Sequence, residues 1–290
     1  MREFFNMFVA DRIRSKKIGS LSLGTDDISL TAMGAAHLNG TIFVVFSNSN
    51  RISAFSVKTS FTDQRPRQEI AIKGMIGPKD LVACPVNQCL YLADSNGVWL
   101  VNSDIDKYDG PQLECKLWLK DTQVISLSIT AAESNVLVTK YDRLCKYTSG
   151  GRLLHELPLT GLLRETQHAI ETSRGTIVVC QTSKTDDKHQ NIMEINQTGQ
   201  ILGHYGGQRG KGYGQLDGPR YLTSDAERDL LFAVDHGNRR VLLLDRKLKL
   251  MGVLAKDEYD WFKRACYIKE LRLMLLCMWY PVVDVYRIFP

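Results

Sequence analysis

The sequence predicts an all-β protein: a six-bladed β-propeller of four-stranded antiparallel blades, closed by an N-terminal strand that completes the last blade. Three observations predict it. Short, strongly apolar segments begin at Ile42, Leu90, Val136, Ile177, Leu231 and Met274, at steps of 48, 46, 41, 54 and 43 residues. One propeller blade takes about 40 to 50 residues. Each segment is bracketed by turn residues, as expected of short strands joined by hairpins. Finally, the last unit stops one strand short at Pro290, whereas a spare strand, Ile18–Leu23, precedes the first unit.

The elements follow in chain order. Residues 1–17 pair an aromatic half (Phe4, Phe5, Phe8) with a basic half (Arg12, Arg14, Lys16, Lys17). The apolar stretch makes only two helical turns, short for a membrane-surface helix. Residues 1–17 are therefore expected to be a leader or linker, and 18–290 the propeller. Ile18–Leu23 is expected to complete the last blade, covering a sheet edge that would otherwise template aggregation. Asn39-Gly40 is a strong hairpin signal before the first apolar strand. Pro85-Val86-Asn87, Glu133-Ser134-Asn135, Ser173-Arg174-Gly175 and Asp225–Asp229 fill that slot in blades two to five. Third strands are expected at Arg51–Phe55, Val98–Val101, Leu144–Tyr147, Ile192–Ile195, Val241–Leu244 and Val283–Tyr286. The glycine-rich run Gly203–Gly218 lengthens the fourth step and is expected to be an extended loop between blades.

Composition bounds the rest. A hydrophobic content of 44% suffices for a packed core, and no run of 18 apolar residues suggests a membrane-spanning helix. Phe4–Ala10 is too short for a secretory signal. The seven cysteines are odd in number and mostly lie inside predicted strands, so buried free thiols in a reducing cytoplasm are expected. Cys84 and Cys89 have no second pair to complete a zinc site. A net charge of +5 permits an acidic or nucleic-acid partner without requiring one.

Chemical motifs are sparse. Lys211 is followed by Gly212 and then a strand, so the glycine run lacks the phosphate-loop pattern. No Gly-x-Ser-x-Gly elbow occurs. His37 and His168 fall in the innermost strands of opposite blades, where they are either packed channel residues or a shared metal site. Lys79 and Arg220 each sit 11 residues before their apolar strand. His168 and Arg264 are assigned to the same slot, allowing for shorter turns. Cationic side chains around one opening of the channel would attract phosphate backbones or acidic peptides. Tyr221 and Tyr267 offer either stacking surfaces for unpaired bases or core packing. Asp94, Asp235, Asn238, Arg239, Arg240 and Arg51 are expected to serve the blade turns, and Trp99, Trp118, Trp261 and Trp279 to fill the wedges between blades.

Gly210–Arg220, taken with Phe232–Val241, resembles an NHL repeat. Ile76–Asp80 with Leu90–Ser95 resembles a second copy, and the other four copies are placed by register alone. The resemblance implies a six-bladed propeller and looks closest to the C-terminal propellers of tripartite-motif (TRIM-NHL) proteins. The RING, B-box and coiled coil that accompany those propellers have no counterpart in these residues. The expected function is a non-enzymatic, monomeric binding platform for a protein or single-stranded RNA. Lys79, His168, Arg220, Tyr221 and Arg264 would form its basic rim, with no cofactor, metal, membrane or small-molecule substrate. The alternative is a metal-dependent lyase or hydrolase with its site in the central channel.

Overall fold

A computed structural model describes residues 13–23, 29–57, 61–102, 113, 115–130, 133–159, 165–183, 185 and 187–289. Residues 1–12 of the expected leader lie outside the described residues. The first strand, β1 (Arg14–Ser22), starts before Ile18 and waits for the end of the chain. Blade one is β2 (Ala32–Leu38), β3 (Thr41–Phe46), β4 (Arg51–Ser56) and, after the short strand β5 (Phe61–Gln64), β6 (Gln68–Ala71). Blade two is β7 (Asp80–Cys84), β8 (Cys89–Ala93), β9 (Gly97–Asn102) and β10 (Lys116–Lys120). Blade three is β11 (Val124–Ile129), β12 (Val136–Lys140), β13 (Arg143–Tyr147) and β14 (Leu153–Pro158). Blade four is β15 (Thr166–Glu171), β16 (Ile177–Gln181), β17 (Gln190–Ile195) and β18 (Ile201–Arg209), with β19 (Gln215–Leu216) on its outer edge. Blade five is β20 (Pro219–Asp225), β21 (Leu230–Asp235), β22 (Arg240–Leu244) and β23 (Leu250–Lys256). Blade six is β24 (Phe262–Ile268), β25 (Leu273–Met278), β26 (Val282–Phe289) and β1.

The ring closes as expected. β1 pairs antiparallel with β26 from Arg14↔Phe289 to Ser22↔Val282. Ser20 Oγ donates to Asp284 Oδ1 at 2.9 Å, and Lys17 Nζ lies 2.7 Å from Asp284 Oδ2. The parallel strand β5 then covers the outer edge of β1. No sequence signal predicted that strand, which a loop of blade one lends to blade six.

The second strand of each blade is the most apolar because both of its faces are covered. On β21, Phe232 and Val234 pack toward blade six, whereas Leu231 and Ala233 pack toward blade four. β3 splits likewise, Phe43 and Val45 facing blade two and Ile42, Val44 and Phe46 facing blade six. The buried residues fall into six apolar clusters, one in each wedge between blades. Each fully buried large side chain, such as Phe43 or Phe232, contributes about 1.5–3 kcal/mol. The strands run nearly continuously apolar for the same reason as those of sheets covered on both sides.

Two expectations are corrected. Gly203–Arg209 is not loop but the outer strand of blade four, paired with β17. Gly206 has φ +97°, and a Cβ there would lie 2.3 Å from the Gln190 carbonyl oxygen. Its glycine lets a curved strand press closely on its neighbour. The tryptophans also divide. Trp99 and Trp118 fill wedges between blades, but Trp261 and Trp279 are 37% and 48% exposed in loops. All seven cysteines are free thiols, five of them buried. Among the described residues no helix is long and apolar enough to cross a membrane.

Candidate functional site

Each innermost strand begins at one face of the ring, where the crossovers between blades also lie, and ends at the opposite face, at its hairpin turn. Near that start, five of the six strands carry a β-bulge, at Met33, Ile125, Gln167, Arg220 and Lys263. Lys79, just ahead of β7, holds the same position in blade two, its N–H donating to the Ala93 carbonyl at 2.7 Å. A bulge re-aims the side chain it carries. The residues one step further on are Gly34, Asp80, Ser126, His168, Tyr221 and Arg264.

This second set closes the axis. The Tyr221 hydroxyl crosses from blade five to Asp80 of blade two, 3.2 Å from Oδ1. Asp80 also accepts the N–H groups of Leu81 (3.0 Å) and Leu127 (2.8 Å). Arg264 Nη1 lies 3.5 Å from Asp80 Oδ2, and its guanidinium lies 4.9 Å from the centre of the Tyr221 ring. His168 stacks on Tyr221 with ring centres 3.7 Å apart. Its Nε2 donates to the Leu127 carbonyl at 3.0 Å, and its Nδ1 accepts the Leu222 N–H at 3.3 Å. These bonds fix the neutral tautomer. Burial, then the Arg264 charge, push the His168 pKa down to about 3. Burial raises Asp80, against the pull of Arg264 and its hydrogen bonds, and raises the Tyr221 phenol as well.

The five rim residues therefore separate. His168, Tyr221 and Arg264 are buried in the axial plug rather than exposed around an opening. Lys79 and Arg220 lie one residue earlier, in the bulge register. A one-residue change of register turns a strand side chain to a different environment. Lys79 Nζ donates to the carbonyls of Thr122 (3.3 Å) and Val124 (3.0 Å) on blade three. Burial lowers its pKa, opposed by Asp94 and Asp121. Arg220 is half-buried with its guanidinium 5.9 Å from the centre of the Trp279 ring, and burial lowers its pKa too.

Sequence reasoning missed Lys263, Trp279 and Asp80. Lys263 lies 11 residues before Met274, the same offset that picked out Lys79 and Arg220, so the signal was present. Lys263 Nζ is 4.8 Å from the Trp279 ring centre and 2.8 Å from Met33 Sδ. Burial and the neighbouring guanidinium groups of Arg264 and Arg220 lower its pKa to about 8. His236 stands beside Trp279, ring centres 5.7 Å apart, its Nδ1 donating to the Phe262 carbonyl at 2.8 Å. Burial and the Arg220 charge bring it to about 4.

No protein-family model matches the chain, and no curated protein matches it significantly. The site must be read from its own chemistry.

Around this mouth the crossover face is rich in exposed aromatic rings. Tyr141, Tyr213, Tyr259, Trp261 and Trp279 all lie in its loops, whereas among the described residues Phe289 is the large exposed aromatic on the other side. Arg239 packs 4.3 Å from the centre of the Trp261 ring. The Asp and Asn groups behave as turn supports. Asp94 accepts the N–H groups of Ile76, Asn96 and Gly97; Asp235 accepts that of Asp217 and binds Asn238 and Arg240. On the hairpin face a cavity of about 470 Å³ descends to the plug, from Asn39, Pro85, Glu171 and Glu270 at its mouth to Tyr221 and His168 at its floor. His37 also lines this cavity, and both nitrogens of His168, at its floor, are engaged by the backbone. Among the described residues no group of three or more His, Cys, Asp or Glu side chains is arranged to hold a metal ion.

Proposed function

We propose that this chain is an NHL-type propeller acting as a rigid, non-enzymatic docking platform, and that its crossover face receives an anionic partner. One observation carries the reading: Arg220 and Lys263, both half-buried, meet an exposed indole and no carboxylate among the described residues. Partly desolvated cations without counterions attract anionic groups strongly, because little water is left to screen them. The surrounding aromatics supply flat apolar contact. Single-stranded RNA, through phosphates and stacked bases, and an acidic protein segment both meet this chemistry. A six-bladed ring suits the role because its loops project from a scaffold that deforms little. Catalysis in the channel is the weaker reading, since both ring nitrogens of His168 are committed to the backbone, Nε2 as donor and Nδ1 as acceptor.

The test is a variant carrying Arg220→Glu, Lys263→Glu and Trp279→Ala, assayed by titration of a labelled single-stranded RNA and by partner capture. We expect at least a tenfold loss of binding with the melting temperature within a few degrees of the parent. RNA binding would weaken steeply with salt, about one counterion per phosphate contact. Undiminished binding by the variant would remove the crossover face from consideration.

A further inference from the structure

The cations of the described surface are not alike. Lys17, Lys140, Lys146 and Lys269 each face a carboxylate: Asp284, Asp121, Glu171 and Glu227 respectively. Lys79 is held by two carbonyls. Lys263 has neither arrangement. The polar atom near its Nζ is the Met33 thioether sulfur, a weak acceptor, and the Nζ lies 4.8 Å from the centre of the Trp279 ring. The charged and titratable groups that face it are the guanidinium groups of Arg220 and Arg264, the Cys277 thiol and, across Trp279, the neutral ring of His236. Two positive neighbours and partial burial both disfavour the ammonium form. With the pKa brought to about 8, roughly one amine in five is neutral near pH 7.4, against about one in a thousand for an ordinary lysine. Lysines become nucleophiles by this combination of desolvation and an adjacent cation.

We propose that Lys263 is a nucleophilic amine that forms a reversible Schiff base with a carbonyl compound bearing an anionic group. Arg220, over the same indole and free of any carboxylate among the described residues, receives the anion, and Trp279 packs against the body of the ligand. The Nζ lone pair adds to the carbonyl carbon, and its proton passes to the carbonyl oxygen, giving a carbinolamine. Water then leaves as the carbon–nitrogen double bond forms. Nothing is oxidised or reduced. The bulges at Arg220 and Lys263 are what place both side chains at this mouth; one residue further along, they would lie in the plug. The inference does not need the platform reading, because it is tested on the isolated chain.

Pyridoxal 5′-phosphate is the probe, an aldehyde with both an anion and a flat ring. The protein is incubated with it at limiting concentration, reduced with borohydride, and mapped by peptide mass spectrometry, with phosphate-free pyridoxal in parallel. We expect a single dominant adduct on Lys263, lost in Lys263→Arg, with a labelling rate that rises with pH through about 8. Arg220→Gln should weaken labelling by pyridoxal 5′-phosphate about tenfold more than labelling by pyridoxal, as for loss of one charge-assisted contact, the smaller loss with pyridoxal reporting the Arg220 charge withdrawn from Lys263. A melting curve confirms that each variant is folded. Labelling of Lys263 no faster than that of the exposed lysines overturns the proposal. Selective labelling that ignores Arg220→Gln overturns the assignment of the anion site.

Discussion

Asp80 is fully buried yet accepts hydrogen bonds from three residues, through the N–H groups of Leu81 and Leu127 and the Tyr221 hydroxyl, and pairs with the Arg264 guanidinium at 3.5 Å. Removing it strands Arg264 in the axis. Asp80→Ala is expected to cost about 3–5 kcal/mol by denaturant titration, and Asp80→Ala with Arg264→Met to cost less, because the orphaned charge is gone. His168 makes the plug sensitive to acid. Its folded pKa of about 3 lies below the unfolded 6.5, so between those values the unfolded chain binds more protons. Its contribution is therefore complete above about pH 6.5, falls as the pH drops, and levels off below about 3. Asp80, raised by burial, acts in the opposite sense, so the comparison should isolate the histidine. Between pH 6.5 and 5 the parent should lose about 1.6 kcal/mol more stability than His168→Gln. Equal slopes for the two proteins would show that the ring is not held neutral.

At the scale of elements, the decisive device is the bulge near the start of the inner strands. It separates a mouth register, Lys79, Arg220 and Lys263, from a plug register, Asp80, His168, Tyr221 and Arg264. Counting residues back from the apolar strands led to the starts of the inner strands of blades two, four, five and six. It merged the two registers because His168 and Arg264 sit only nine and ten residues before Ile177 and Met274, and a shorter turn explained that difference as well as a shifted register did. Strand β5 was illegible for another reason. Its parallel pairing with β1 joins segments of two different blades, and no local pattern encodes such a contact. The pairing depends on Gly19, whose φ is +152° and whose Cβ would lie 2.2 Å from the Phe61 carbonyl oxygen. Gly19→Val is expected to cost about 1–3 kcal/mol and to raise hydrogen exchange at Phe61–Gln64. Unchanged protection of those amides would mean that β5 is held by something other than this contact.

At the scale of the molecule, the two faces differ in kind. The hairpin face opens into a cavity that ends on the plug. The crossover face carries the unpartnered cations and five of the exposed large aromatics. The plug joins blades two, three, four, five and six through side chains that reach across the axis, so the ring is braced at its hub as well as by β1 at its rim. A docking platform of this build should bind without changing shape. The triple variant of the crossover face should thus lose its partner while keeping its melting temperature.

The sequence alone determined the second and third strands of each blade, their sixfold recurrence and the way the ring closes. Those features rest on local rules: runs of apolar residues that need cover on both faces, turn residues between them, and a missing strand at one end matched by a spare at the other. The tertiary structure decided which charges meet solvent and which meet each other. Arg264 and Lys263 are adjacent in the chain and of one sign, yet one lies beside a carboxylate of blade two, two blades round the ring, while the other faces an indole at its mouth. That difference is set by a single extra residue in a strand and by partners as much as 230 residues away, and no periodicity in the sequence records either.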